Sequence, residues 1–177
     1  GNISTIKVNN APKYSSLLNP LLEQIIKNYD PDSEIESQYK FPDPDEKIKF
    51  NDVKIFSDDI EGCVGFLSIV EEQIDIIDDE EPKSKNKFMR AISQKYKDRK
   101  RVLLIENGVD VENYEEVISV IRLNADKIIQ DVSDLILEYA ENDMHGFPVE
   151  EVKDSVSLIV CYGFINCKIL ERPNDYK

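Results

Sequence analysis

Apolar positions recur at helical spacing along most of this chain. Leu17, Leu18, Leu21, Leu22, Ile25 and Ile26 fall three or four apart, which places them on one face of a helix. Ser15 or Ser16 precedes them as a cap, and Pro20 fits only a first turn. The helix therefore begins near Asn19 and stops by Asp30-Pro31. Residues 30–45, with three prolines and many acids, predict a long connection of little regular structure. Residues 46–56 fit neither the helical nor the strand period, so a short helix and an extended strip both remain open. From Ser57 a new helix starts, and Ile60, Val64, Leu67, Val70, Ile74 and Ile77 sustain a 3-4 repeat for about five turns. The next helix opens after Ser84, stacks Phe88, Ile92 and Tyr96 on its inner side, and continues through 102–105 to a stop at Gly108. Residues 114–141 form a long amphipathic helix through Val117, Ile121, Ala125, Ile128, Val132 and Ile136. After a loop at 142–147, Pro148 begins a last helix over 149–171 whose middle is almost entirely apolar, and Pro173 ends it.

This pattern predicts an all-α fold. We expect a single bundle of about five helices over residues 15–177, preceded by an irregular arm or linker over 1–14. The last helix should be the central one, unless a partner chain covers one of its sides. Composition agrees: 41 % of the 177 residues are apolar and only six are Gly, fewer than a turn-rich β fold normally uses. The longest apolar run, over 156–170, is interrupted by Asn166 and Lys168, so no membrane span is expected. Three cysteines without a CxxC pair suit a reducing, cytoplasmic setting. Gly1, in place of an initiator Met, reads as a cleavage scar or a processed terminus.

Charge adds what periodicity cannot. Residues 71–81 carry seven carboxylates, and residues 83–101 carry nine Lys or Arg against one Asp. The second block nets +8 in a chain of net charge −14, leaving −22 for the remainder. Opposite blocks joined across Pro82 predict an antiparallel helix hairpin whose exposed flanks pair. The overall charge opposes binding to a phosphate backbone, so nucleic acid is an unlikely partner except through the basic helix, where Arg90, Lys97, Arg99, Lys100 and Arg101 would act.

Candidate chemistry is thin. His145 is the single histidine; it could serve as a general base or ligand in a metal-dependent hydrolase with nearby acids, but a loop histidine at a helix end is the simpler reading. Asp43-Pro44-Asp45-Glu46-Lys47 shares residue types with PD…(D/E)xK nucleases, yet crowds into one Pro-broken loop without strand context, so chance composition accounts for it. Asp78-Asp79-Glu80-Glu81 lacks the alternating ligands and Gly turn of a calcium loop. Cys161 and Cys167 read as small buried hydrophobes, although Lys168 beside Cys167 could lower its thiol pKa. No catalytic set, metal site or cofactor is expected.

Two stretches together resemble a known group. One is Asp45-Glu46-Lys47-Ile48-Lys49-Phe50-Asn51-Asp52-Val53 with the acidic and basic helices, including Tyr96, that follow. The other is Phe164-Ile165-Asn166-Cys167-Lys168-Ile169-Leu170-Glu171-Arg172-Pro173. The pattern is similar to small helical C-terminal domains of bacterial conflict proteins, notably those of ABC-three-component systems, and spans roughly residues 45–173. That resemblance implies an accessory module that links an effector to partner proteins, with chemistry housed elsewhere. We therefore expect a non-enzymatic interaction domain. Its partner contacts would come from the basic face (Lys87, Arg90, Lys97, Arg101) and from surplus apolar area on the last helix (Val160, Phe164, Ile165). Self-association through that helix is a further expectation, because a nearly all-apolar helix in a small bundle is hard to cover.

Overall fold

The computed structural model describes residues 14–33 and 39–177, and it is helical throughout, with no strand among the described residues. Apart from Tyr14, the expected N-terminal arm lies outside the described residues, as do positions 34–38 of the acidic connection. Among the described residues seven α-helices follow in order: α1 (Asn19–Asn28), α2 (Asp45–Phe50), α3 (Ser57–Cys63), α4 (Leu67–Glu80), α5 (Ser84–Glu106), α6 (Tyr114–Ala140) and α7 (Val149–Ile165). A single 3-10 turn, Val64–Phe66, joins α3 to α4, and another, Pro173–Tyr176, follows α7.

The expected long helix from Ser57 to Ile77 is two helices. Gly62 lies in the last turn before the break and Gly65 within it, and each lowers helix propensity by about 1 kcal/mol relative to Ala. The interruption lets α3 pack on α7, while α4 packs on α1, α5 and α7. The ambiguous stretch after Asp45 resolves as the short helix α2, closed by Asn51 and by Asp52 at φ +56°. Two side chains of α6 fix that corner. Arg122 Nε donates to Phe50 O at 2.7 Å, at the negative end of α2. Asp126 accepts the backbone N–H groups of Lys54, Ile55 and Phe56 at 3.1, 2.9 and 3.0 Å.

The last helix is central, touching α1, α3, α4, α5 and α6. Every residue from 158 to 165 is buried, as an apolar helix with neighbours on all sides must be. Val160, Phe164 and Ile165 were expected to offer surface to a partner. They do not: they are 5 %, 1 % and 5 % exposed, because α1, α3, α4, α5 and α6 together surround the helix. The reason given for self-association goes with them. Packing there is close, since a Cβ on Gly163 would meet Ile92 Cγ2 at 2.7 Å and Ile169 Cδ1 at 3.0 Å.

This helix also ends six residues earlier than its apolar run suggests. Cys167 takes the left-handed conformation, φ +60°, and the N–H groups of Lys168 and Cys167 return to Gly163 O and Phe164 O at 2.8 and 3.2 Å. That is a Schellman stop, built here on a residue with a side chain. Lys47 completes it from α2. Its buried ammonium donates to Ile169 O at 2.7 Å and to Phe164 O, and lies 4.4 Å from the centre of the Phe164 ring. Desolvation lowers its pKa from 10.5 to about 8.

Candidate partner-binding surface

Helix α5 positions the four basic residues singled out from the sequence. At 100° per residue, Lys87, Arg90, Lys97, Arg101 and Ile105 fall within an arc of roughly 80° and make a stripe about 27 Å long. The opposite side of the helix is anchored by Phe88, Ile92, Tyr96 and Leu103, all buried. All four cations are exposed. Lys87, Arg90 and Lys97 form no ion pair with another described residue, and Arg101 pairs only with the equally exposed Asp98, at 3.1 Å.

The expected pairing between acidic α4 and basic α5 is confined to one residue. Lys85 Nζ lies 2.6 Å from Glu71 and 4.0 Å from Asp75, and its backbone N–H donates to Asp78 Oδ1 at 3.0 Å. The other paired cations of α5 reach elsewhere: Arg99 to Asp131 of α6 at 2.6 Å, and Lys100 to Glu171 at 2.6 Å. The hairpin forms, but its flanks do not zip together, because α5 turns its outer stripe away from α4 and packs along α6.

At the C-terminal end of α5 the stripe meets an apolar groove of about 400 Å³. Leu104, Ile105, Val109 and Val111 line it, with Lys97, Lys100 and Arg101 at its rim. The backbone creates this groove. Gly108 at φ +59° lets Val109 N–H return to Leu104 O at 3.0 Å and Gly108 N–H to Ile105 O at 3.1 Å. The chain thus folds Val109 back against Leu104, which is the apolar contact such a stop favours. Asp110 then accepts Glu112 N–H at 3.0 Å, and Asn113 caps α6 by accepting Glu116 N–H at 3.3 Å. Ile105 and Val111 remain 73 % and 61 % exposed.

Lys100 is held out of service by a polar cluster beside the groove. Its partner Glu171 also accepts Tyr176 OH at 2.6 Å and the Tyr96 hydroxyl. Asn51 brackets the Glu171 backbone, accepting its N–H at 3.0 Å and donating to its carbonyl at 2.9 Å. Burial works to raise the Glu171 carboxyl pKa, but donation from Lys100, Tyr176 and Tyr96 outweighs it, and the group lies below its ordinary value. A second buried carboxylate, Glu71, is held by Lys85 and the Tyr162 hydroxyl. Both clusters are closed, with their donors already engaged.

The other candidates do not assemble. His145 is exposed in the turn after α6, with no carboxylate bonded to it among the described residues. Asp43 and Asp45 are exposed while Lys47 points into the core, so the nuclease-like run has no common focus. No group of three or more His, Cys, Asp or Glu could hold a metal among the described residues. No helix among them is long and apolar enough to cross a membrane. Cys161 is buried as expected, whereas Cys167 is exposed.

Sequence reasoning found Lys97 and Arg101 but missed the groove they border. A signal was present: Ile105 continues the basic stripe, so an apolar residue stood at a position already assigned to solvent. No family model matches this chain, nor does any curated protein or solved structure.

Proposed function

We propose that this chain is a non-enzymatic helical interaction domain of a larger bacterial defence-type protein, and that its α5 stripe and groove receive an acidic segment of a protein partner. One observation carries the reading: an exposed apolar groove is bordered by Lys97, which has no ion pair among the described residues, and by Arg101, whose one such partner is the exposed Asp98, in a chain whose net charge is −14. Ile105 and Val111 offer an apolar seat, and Lys97 and Arg101 select for carboxylates flanking the residue that fills it. Lys87 and Arg90 extend the positive stripe and steer the approach. The resemblance to accessory domains beside a separate effector supplies the setting.

A labelled synthetic peptide with Leu or Ile anchors flanked by Glu tests this by fluorescence anisotropy. Binding is expected to weaken with added salt and to fall roughly tenfold, about 1.4 kcal/mol, in K97E/R101E and again in I105E. K87E/R90E should slow association with a smaller change in affinity. Circular dichroism confirms that each surface variant is folded. Absence of binding at low salt, or affinity indifferent to these changes, refutes the reading. A single-stranded oligonucleotide runs as the parallel arm. Tighter binding to it than to the peptide would favour the nucleic-acid alternative, although Phe88 and Tyr96 are buried and offer no ring for base stacking.

A further inference from the structure

A different part of the molecule carries a pair of thiols that the interaction reading does not use. Cys63 is the last residue of α3 and Cys161 lies in the middle of α7. The fold brings both side chains to the wall of one cavity. Cys161 Sγ lies 3.5 Å from Ile60 O, one helical turn before Cys63. Both cysteines line a cavity of about 280 Å³ between α3, α6 and α7, together with Asp59, Ile129, Asp154 and Leu158. Their environments differ. Cys161 is fully buried, while Cys63 is half-buried and forms the accessible edge of the pair.

We propose that Cys63 and Cys161 are a peroxide-oxidisable dithiol that closes reversibly to a disulfide tying α3 to the central helix. The oxidant is a hydroperoxide. The Cys63 thiolate attacks one peroxide oxygen, the O–O bond breaks, and the alcohol, or water from hydrogen peroxide, leaves with a proton. Cys161 then attacks the sulfenic sulfur, the S–O bond breaks, and water departs as the S–S bond forms. Two thiols are oxidised and one peroxide is reduced. Roles follow from position: Cys63 can be reached and Cys161 resolves it. Interaction with the neighbouring Cys161 thiol lowers the Cys63 pKa, outweighing burial and the charges of Asp59 and Asp154, which oppose ionisation. Two features make closure a structural event. Cys63 stands next to the 3-10 turn that separates α3 from α4, and the bond would join two of the residues that line the cavity.

The test uses the C167S chain, so that the exposed third thiol cannot cross-link molecules. Hydrogen peroxide should remove two titratable thiols and lower the mass by two hydrogens. Peptide mapping should join 63 to 161 within one monomer, and dithiothreitol should reverse all three changes. Cys63→Ser, at the half-buried position, should leave Cys161 reduced under the same treatment. Four results overturn the proposal: thiols still titratable after treatment, an intermolecular bond, terminal oxidation of Cys63 with Cys161 untouched, or equal oxidation of Cys161 in the C63S variant.

Discussion

Lys47 shows how one residue can serve the fold in a way its sequence neighbours disguise. Among acids and prolines it reads as part of a solvated loop, yet it is buried beneath the end of α7 and donates to one carbonyl in its last turn, Phe164 O, and to one just beyond it, Ile169 O. Burial holds its pKa near 8 rather than 10.5, so between those values the unfolded chain binds more protons than the native one. Stability from this group is therefore fully present above the unfolded value and is lost as pH falls through 8, a difference on the order of 3 kcal/mol. Tyr96, Tyr162 and Tyr176 act in the opposite sense. Burial raises all three, so their contribution declines once unfolded tyrosines ionise near pH 10. Lys47→Met should therefore abolish a rise in stability between pH 8 and 10 that the native protein shows. Denaturant midpoints for the two proteins across that range measure it, and a constant gap between them would remove the assignment.

At the scale of the element, helix ends decide where the chain turns. The stops after α5 and α7 share one hydrogen-bond pattern but differ in the residue at the left-handed position. Gly108 accepts it without strain, whereas Cys167 carries a Cβ there. Cys167→Gly is thus expected to raise stability by roughly 1 kcal/mol, read as an increase in Tm. An unchanged or lower Tm would mean that the side chain contributes to the turn in a way its exposure conceals. Leu170, also at positive φ, is no target for the same change, because its side chain is buried in the core. The α4–α5 hairpin teaches a related lesson. Asp78 caps the start of α5 by accepting Lys85 N–H, so the acidic helix orients the basic one through a helix end more than through paired flanks.

For the whole molecule, charge sets two opposing dependences on salt. A net charge of −14 on 177 residues repels itself, and that repulsion is screened as ionic strength rises. Thermal stability should therefore increase from low to physiological salt, while affinity for an acidic peptide at the α5 groove falls over the same range. Two titrations on one preparation, Tm and anisotropy, check both directions. A Tm that drops with salt would place more weight on pairs such as Lys85–Glu71 and Lys100–Glu171 than their number suggests.

Helix positions, the core-facing side of α5 and the central place of α7 were legible because a 3-4 repeat is a local signal, written within a few turns of chain. The break at Val64–Phe66 and the early end of α7 escaped that signal, since apolar spacing continues across both. Groups brought together over long separations left no periodic trace: Lys47 with Ile169, Tyr96 with Glu171, and Cys63 and Cys161 on the wall of one cavity. Nor could spacing show that Val160 and Phe164 are covered while Ile105 is bare. Exposure depends on which helices arrive alongside, and packing between distant segments alone settles that. Read by itself, the sequence determined an all-α chain with a basic stripe on one helix. Tertiary structure decided which cations stay unpaired, where apolar surface remains open, and which thiols share a cavity.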